Sequence, residues 1–436
     1  MSEFNLLDHI QGKNAGNTVV WLFNIGIERY WGQDISTVKS INDEMIVNHM
    51  EEMNLLLARK QDYLILRKQP DQRFLDILQR KGFELPHILT PKYEDENVGI
   101  SEIVLKDMEL LENLRKIGKT QNTFFVPYGV SEVEEKIAEQ TELEMIGGCN
   151  RLSQQINNKI FARKISEKLG FLIAEGQVCN SLDQVQDISA SLLEKYGKVV
   201  IKYPTGASGK GLWVVDDERK RNTTLKILER VCTRKNIPEE FVVERWYEKE
   251  CDLNYQIYVG KDGEVNVFSV KEQLLNETVY IGSLMSPRLS QEVMEQCVDC
   301  GKRIGELLYR YGYNGVLGVD AMITKSGVFI PIIEVNARFT LSTYVSFIDK
   351  YADGQQMLAF YHKVSLKEND DYETISRQLS EELDEEQFIC YVSETVNQKT
   401  VGGYGRVFVL LMQKDTESVL KLYEKAISCL ERMGKS

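Results

Sequence analysis

Four polar residues in an otherwise apolar stretch carry the most chemistry in this sequence: Asp320, Glu334, Asn336 and Arg338. They belong to two runs rich in β-branched and apolar residues, 316–324 and 328–338, separated by Lys325, Ser326 and Gly327. That pattern predicts a β-hairpin. Side chains alternate faces along a strand, so Glu334 and Asn336 share one face, and Asp320 stands near the middle of the facing strand. Oxygen-bearing side chains in such a setting are costly unless something binds them. A hard divalent cation is the simplest answer, since Mg²⁺ is held by one or two carboxylates together with substrate phosphates. The alternative is a polar outer face on an edge hairpin. Lys and Thr are more usual there than a Glu-x-Asn-x-Arg run.

A second stretch offers phosphate chemistry. Residues 198–203 read as a strand with Lys202 at an otherwise apolar place. It leads into Pro-Thr-Gly-Ala-Ser-Gly-Lys-Gly, residues 204–211, and a further strand follows at 212–215. Glycine lets backbone N–H groups approach phosphate oxygens closely. Gly206, Ser208, Gly209, Lys210 and Gly211 are the candidates. The loop is not of the G-x-x-x-x-G-K-[ST] type, because that spacing is absent and no helix follows it directly. The alternative is an ordinary flexible hairpin loop.

The elements that must position these residues fall into three regions. Residues 1–150 alternate strands (18–23, 62–66, 123–126) with helices (42–60, 72–81), which predicts an α/β unit on a parallel sheet. The Asn24–Gly26 turn after the first strand, with Glu28, Arg29 and Trp31 behind it, is either a ligand loop or a plain strand-to-helix turn. Residues 151–362 hold a helix over 157–170, a strand at 241–246, an antiparallel pair at 252–259 and 264–273, a loop over 277–288, a helix over 291–311, the hairpin, and a helix over 341–361. They divide near residue 246 into two lobes, the first with the glycine-rich loop and the second with the hairpin. Residues 363–436 form an α+β piece: an acidic linker or solvated helix at 368–386, strands at 388–396 and 406–412, and an amphipathic helix at 417–433.

Composition bounds the function. The chain has 436 residues, 43% hydrophobic and 27% charged, with a net charge of −13. That charge argues against general nucleic-acid binding. No run of about 18 apolar residues suggests a membrane span, and residues 1–17 lack a leader pattern, so a cytoplasmic enzyme is expected. The eight cysteines are scattered and read as reduced thiols. Cys297 and Cys300 form a lone C-x-x-C within a helix, which makes a zinc site a poor reading.

Residues 157–338 resemble the ATP-grasp ligases, with the motifs in that family's order. The resemblance implies ATP and Mg²⁺ as cofactors, with Mn²⁺ as an alternative metal. It gives Lys159 and Lys202 to the ATP phosphates and residues 206–211 to the loop that closes over them. Glu244 and Trp246 resemble the adenine hinge, and Glu250 the ribose-binding glutamate. Asp320, Glu334 and Asn336 match the metal ligands, and Arg338 the arginine that steadies an acyl phosphate, with Lys202 as its catalytic companion. Asn158 departs from the Asp that many members carry. The N-terminal α/β unit looks like a pre-ATP-grasp domain, and that subset forms peptides or loads carrier proteins in bacterial antibiotic biosynthesis. The implied activity is ADP-forming activation of an amino acid, L-glutamate foremost, as an acyl phosphate. The acceptor is the phosphopantetheine thiol of an acyl-carrier protein or, as the alternative, an amine, giving a dipeptide or amide. A homodimer is a further expectation. The four histidines, His9, His49, His87 and His362, all lie outside the motif-bearing stretch.

Overall fold

A five-residue run of Thr, Val, Val, Trp and Leu becomes a stable strand where both faces are covered. The computed structural model describes residues 9, 16–32, 46–206, 211–348, 354–398 and 403–433 and places this run accordingly. Strand β1 (Thr18–Leu22) is buried throughout, at the centre of a parallel sheet. Its companions are β2 (Tyr63–Ile65), β3 (His87–Leu89), β4 (Thr123–Pro127) and β5 (Glu144–Met145), in the order β3-β2-β1-β4-β5. The connections include 3₁₀ turns at Ile27–Tyr30 and Glu51–Leu56 and helices α1 (Gln72–Arg80), α2 (Ile100–Lys106), α3 (Met108–Thr120) and α4 (Glu132–Thr141). The expected helix over 42–60 is reduced, where it is described, to a helical start at 46–47 and a 3₁₀ turn at Glu51–Leu56, and residues 42–45 of it lie outside the described residues.

Helices α5 (Asn150–Ile156) and α6 (Lys159–Leu169) lead into an antiparallel four-stranded sheet. Its strands are β6 (Gly176–Cys179), β7 (Val199–Lys202), β8 (Leu212–Val215) and β9 (Phe241–Arg245), in the order β6-β9-β7-β8. Helices α7 (Leu182–Tyr196) and α8 (Glu218–Lys235) cover one face, packing Val185, Leu228 and Val231 against Val199, Ile201 and Phe241.

The third sheet has eight strands: β10 (Lys249–Val259), β11 (Val265–Asn276), β12 (Val279–Leu284), β13 (Gly315–Thr324), β14 (Phe329–Asn336), β15 (Gln356–Ser365), β16 (Phe388–Cys390) and β17 (Tyr404–Gln413). They run in the order β14-β13-β10-β11-β12-β15-β17-β16. Helices α9 (Gln291–Arg310), α10 (Leu341–Val345), α11 (Tyr372–Glu382), α12 (Glu394–Asn397) and α13 (Thr416–Met433) connect and cover it. Among the described residues no helix is long and apolar enough to cross a membrane.

Several expectations are corrected here. Residues 277–288 hold β12 rather than a loop. Its periodicity is poor because Gly282 sits where a Cβ would come within 2.4 Å of the Ala359 carbonyl oxygen, so only glycine lets β12 and β15 pair. Of the helix expected over 341–361, Leu341–Val345 is helical, residues 349–353 lie outside the described residues, and 356–365 is β15. Met357 to Phe360 are all buried, because this strand has neighbours on both edges and both faces covered. The acidic span 368–386 holds α11, whose Tyr372, Ile375 and Leu379 are buried. The strand over 388–396 stops at Cys390 and gives way to α12. The boundary expected at 362/363 falls inside β15, so the C-terminal strands continue the sheet that carries the metal hairpin.

Candidate active site

Register in β13 and β14 sets the acidic residues face to face. Asp320 pairs with Glu334 across the hairpin, and Gly318 pairs with Asn336. Asp320 accepts hydrogen bonds from Asn254 Nδ2 (2.8 Å), Gln273 Nε2 (3.0 Å) and Asn336 Nδ2 (3.1 Å). Burial, reinforced by the Glu334 charge, pushes the Asp320 carboxyl up to about 6 against those bonds. Two carboxylates held this close repel one another unless a cation lies between them. Among the described residues no group of three His, Cys, Asp or Glu side chains could hold a metal. Two carboxylates with one carboxamide oxygen nevertheless fit Mg²⁺, which takes few protein ligands and completes its shell with phosphates and water.

Lys159 joins this hairpin to the glycine-rich loop. It follows Asn158, whose Oδ1 caps α6 by accepting from the Ile160 N–H (2.8 Å). The Lys159 N–H donates to the Pro204 carbonyl (2.9 Å). Its buried Nζ donates to the Gly206 carbonyl (2.9 Å) and lies 3.1 Å from Glu334 Oε1. Gly206 and Gly211 take φ values of 124° and 78°, and the Tyr203 N–H donates to the Gly211 carbonyl, closing the base of the loop. Ser208, Gly209 and Lys210 lie outside the described residues.

Lys202 stands at the end of β7 with its Nζ 2.5 Å from Glu244 Oε2. Arg163 Nη1 donates to Glu244 Oε1 (2.7 Å), and the same guanidinium donates to the Ala174 and Gly176 carbonyls. These four charged residues, Lys159, Arg163, Lys202 and Glu244, line a cleft with Ile173, Ala174, Val242, Ile332 and Ile333. An apolar wall with cations at one end suits a flat base carrying phosphates. Trp246 and Glu250 are not in its wall. Trp246 lies between Lys198 and Lys249, each 5.5 Å from its ring, and Glu250 is exposed near the start of β10. Arg163 escaped the sequence reading. Its signal was the i, i+4 spacing from Lys159, which stacks two cations on the buried face of α6.

Arg338 is buried just beyond β14. Its Nη1 donates to Tyr128 Oη (3.0 Å) and the Phe339 carbonyl (3.1 Å), and its Nη2 lies 2.7 Å from Glu28 Oε1. Burial opposes its charge, but Tyr128, Glu28, Glu334 and Asp320 outweigh burial and raise its pKa. A second cleft is lined by Glu28, Trp31, Gln154, Asn157, Thr205, Gly206, Glu334, Asn336 and Arg338. Gly206 and Glu334, which face it, both contact Lys159, so the two clefts meet at that lysine.

Comparison with known families fits this geometry. Residues 50–143 match the Pre ATP-grasp domain, and residues 164–346 match the ATP-grasp domain. The chain is an ATP-grasp protein with a pre-ATP-grasp domain. Membership makes it an ATP-dependent, ADP-forming enzyme of the ligase type. A [butirosin acyl-carrier protein]–L-glutamate ligase from Niallia circulans is 28% identical over 335 residues, covering 76% of this chain and 74% of that protein. A tyramine–L-glutamate ligase from Methanocaldococcus jannaschii is 20% identical over 283 residues, covering 59% and 82%. A biotin carboxylase from Campylobacter jejuni superposes with a TM-score of 0.60 at 12% identity, covering 95% of this chain and 91% of that one. An N5-carboxyaminoimidazole ribonucleotide synthetase, solved with ADP, gives 0.57 at 14% identity, covering 94% and 96%. The two structural likenesses establish the fold. The matched ATP-grasp segment begins at 164, so Lys159 lies just outside it.

Proposed function

We propose that this ATP-grasp enzyme activates L-glutamate as an acyl phosphate and passes it to the phosphopantetheine thiol of an acyl-carrier protein, as a step in antibiotic biosynthesis. The observation that carries the ligase chemistry is the Lys159 bridge. One ammonium touches both the loop carbonyl of Gly206 and the Glu334 carboxylate, so phosphate loop and metal hairpin converge beside Arg338. L-glutamate is favoured because both glutamate-named relatives share the acid while differing in the acceptor.

The steps follow from the parts. The substrate carboxylate oxygen attacks the γ-phosphorus, the bond to the β-phosphate oxygen breaks, and ADP leaves. Lys159, Lys202 and the 206–211 loop hold the phosphates in line. Asp320, Glu334 and Asn336 would hold Mg²⁺, which offsets the charge on the phosphate oxygens. Arg338 then faces the acyl oxygen and stabilises the oxyanion formed when the thiolate adds to the carbonyl and phosphate departs. Among the described residues, neither cleft wall carries an imidazole. A thiol needs less help in losing its proton than an ammonium does, which favours the thioester. An amine acceptor is the second reading, favoured by the tyramine–L-glutamate relative.

ADP release across the twenty amino acids, with hydroxylamine trapping acyl phosphate, tests the acid. Intact-mass spectrometry of a phosphopantetheinylated carrier protein tests the acceptor. A hydroxylamine-labile gain of one glutamyl residue is expected. An amide product with no gain on the carrier would show the amine ligase instead.

A further inference from the structure

The N-terminal domain reaches the reacting centre through Glu28, Trp31 and Tyr128, and of these only Glu28 brings a charge. Glu28 belongs to the 3₁₀ turn at Ile27–Tyr30, and its carboxylate meets Arg338, more than 300 positions away in sequence, at 2.7 Å. Gly32 allows this approach, since a Cβ there would come within 2.7 Å of Thr205 Oγ1 beside the phosphate loop. Gln154 fixes the following chain by donating to the Trp31 carbonyl.

Arg338 does not need Glu28 for anchorage, because Tyr128 Oη and the Phe339 carbonyl already hold Nη1. Its Nε is buried and has no hydrogen-bond partner. A buried guanidinium N–H left unpaired costs free energy until an oxygen arrives to accept from it. The cleft wall therefore holds a guanidinium whose hydrogen-bonding capacity is not filled, with a carboxylate beside it. Gln154, Asn157 and Thr205 supply neutral hydrogen-bonding groups around that pair. A free amino acid carries complementary charges, its ammonium and carboxylate being two bonds apart on one carbon. A plain dicarboxylate would meet Glu28 with like charge, and desolvated like charges cost affinity.

We propose that Glu28 is the residue by which this enzyme selects an α-amino acid over its des-amino analogue. The substrate's carboxylate meets the Arg338 guanidinium and its ammonium meets the Glu28 carboxylate. This inference rests on the amino-acid ligase reading above and names the recognition group within it.

The test compares each amino acid that supports hydroxylamine-dependent ADP release with its des-amino analogue, glutamate with glutarate first. Wild type is expected to favour glutamate. In Glu28→Gln the glutamate-to-glutarate ratio of kcat/KM is expected to fall by on the order of 10²-fold. The loss should lie mainly in KM, and Glu28→Asp should recover part of it. Equal losses on both acids would mean that Glu28 only positions Arg338, and the proposal fails. Wild-type activity on glutarate at least equal to that on glutamate also overturns it, while leaving the ligase reading intact. ADP release independent of any acid sinks both.

Discussion

Glu334 stands at the point where two requirements meet. It pairs with Asp320 across the hairpin and with the Lys159 ammonium across the cleft. Glu334→Gln keeps the shape and removes the charge, and hard cations prefer carboxylate to amide. Turnover is expected to cease, and Mg²⁺-dependent ADP affinity to fall by roughly tenfold or more. Calorimetry with and without Mg²⁺ checks this, and unchanged Mg·ADP affinity would reject Glu334 as a ligand. At this scale the sequence was informative wherever a polar side chain interrupts an apolar strand, as at Lys202, Asp320 and Glu334. Isolated polar residues there are expensive, and their presence demands a use. Glu28 gave no such signal, because it sits in a polar turn where a glutamate is ordinary. Its importance comes from a partner more than 300 positions away.

Helix α6 shows how an element delivers a functional residue. Asn158 caps its first turn, and Lys159, immediately after, is tethered by its backbone to Pro204 and by its ammonium to Gly206. Asn and Asp are comparably good N-caps, which explains why Asn serves where many ATP-grasp ligases carry Asp. Asn158→Ala is expected to cost about 1 kcal/mol and to raise the KM for ATP as the lysine loses its fixed origin. Asn158→Asp should match wild type in both. Thermal melts and ATP titrations decide it, and an Ala variant with unchanged melting and KM would show that the cap is dispensable. Helices and strands with one dominant period, such as α6, α9 and the β13–β14 hairpin, were legible. Strands β12 and β15 were not, because neither alternates. One carries a glycine demanded by close pairing, and the other is buried on both faces. Such patterns acquire meaning only when the partner strand is known.

At the scale of the whole molecule the N-terminal and C-terminal regions are locked together by Glu52. Its buried carboxylate accepts from the Ser393 N–H (2.5 Å), Ser393 Oγ (2.9 Å) and the Glu394 N–H (3.0 Å), 341 positions away in the chain. No local pattern could have announced that contact, nor that strands from three distant parts of the sequence, β12, β15 and β17, would lie side by side. Burial is the largest influence on Glu52 and pushes its carboxyl up to about 7, the hydrogen bonds and the nearby Glu394 charge acting after it. An acid whose pKa is raised by folding holds its proton in the folded chain over a range where the unfolded chain has lost it. Its stabilising contribution is therefore full below the unfolded value, near 4.5, and is lost as pH rises through about 7. The loss is on the order of 3 kcal/mol. Gln mimics the protonated form, so Glu52→Gln carries no such dependence. The variant should melt below wild type at pH 5, because an amide cannot accept all of those bonds, and the deficit should shrink steadily toward pH 8. Melting temperatures of both proteins at half-unit steps give the answer. A deficit that stays constant or widens with pH would show that Glu52 is ionised throughout, held charged by Ser393 and the Glu394 amide despite its burial.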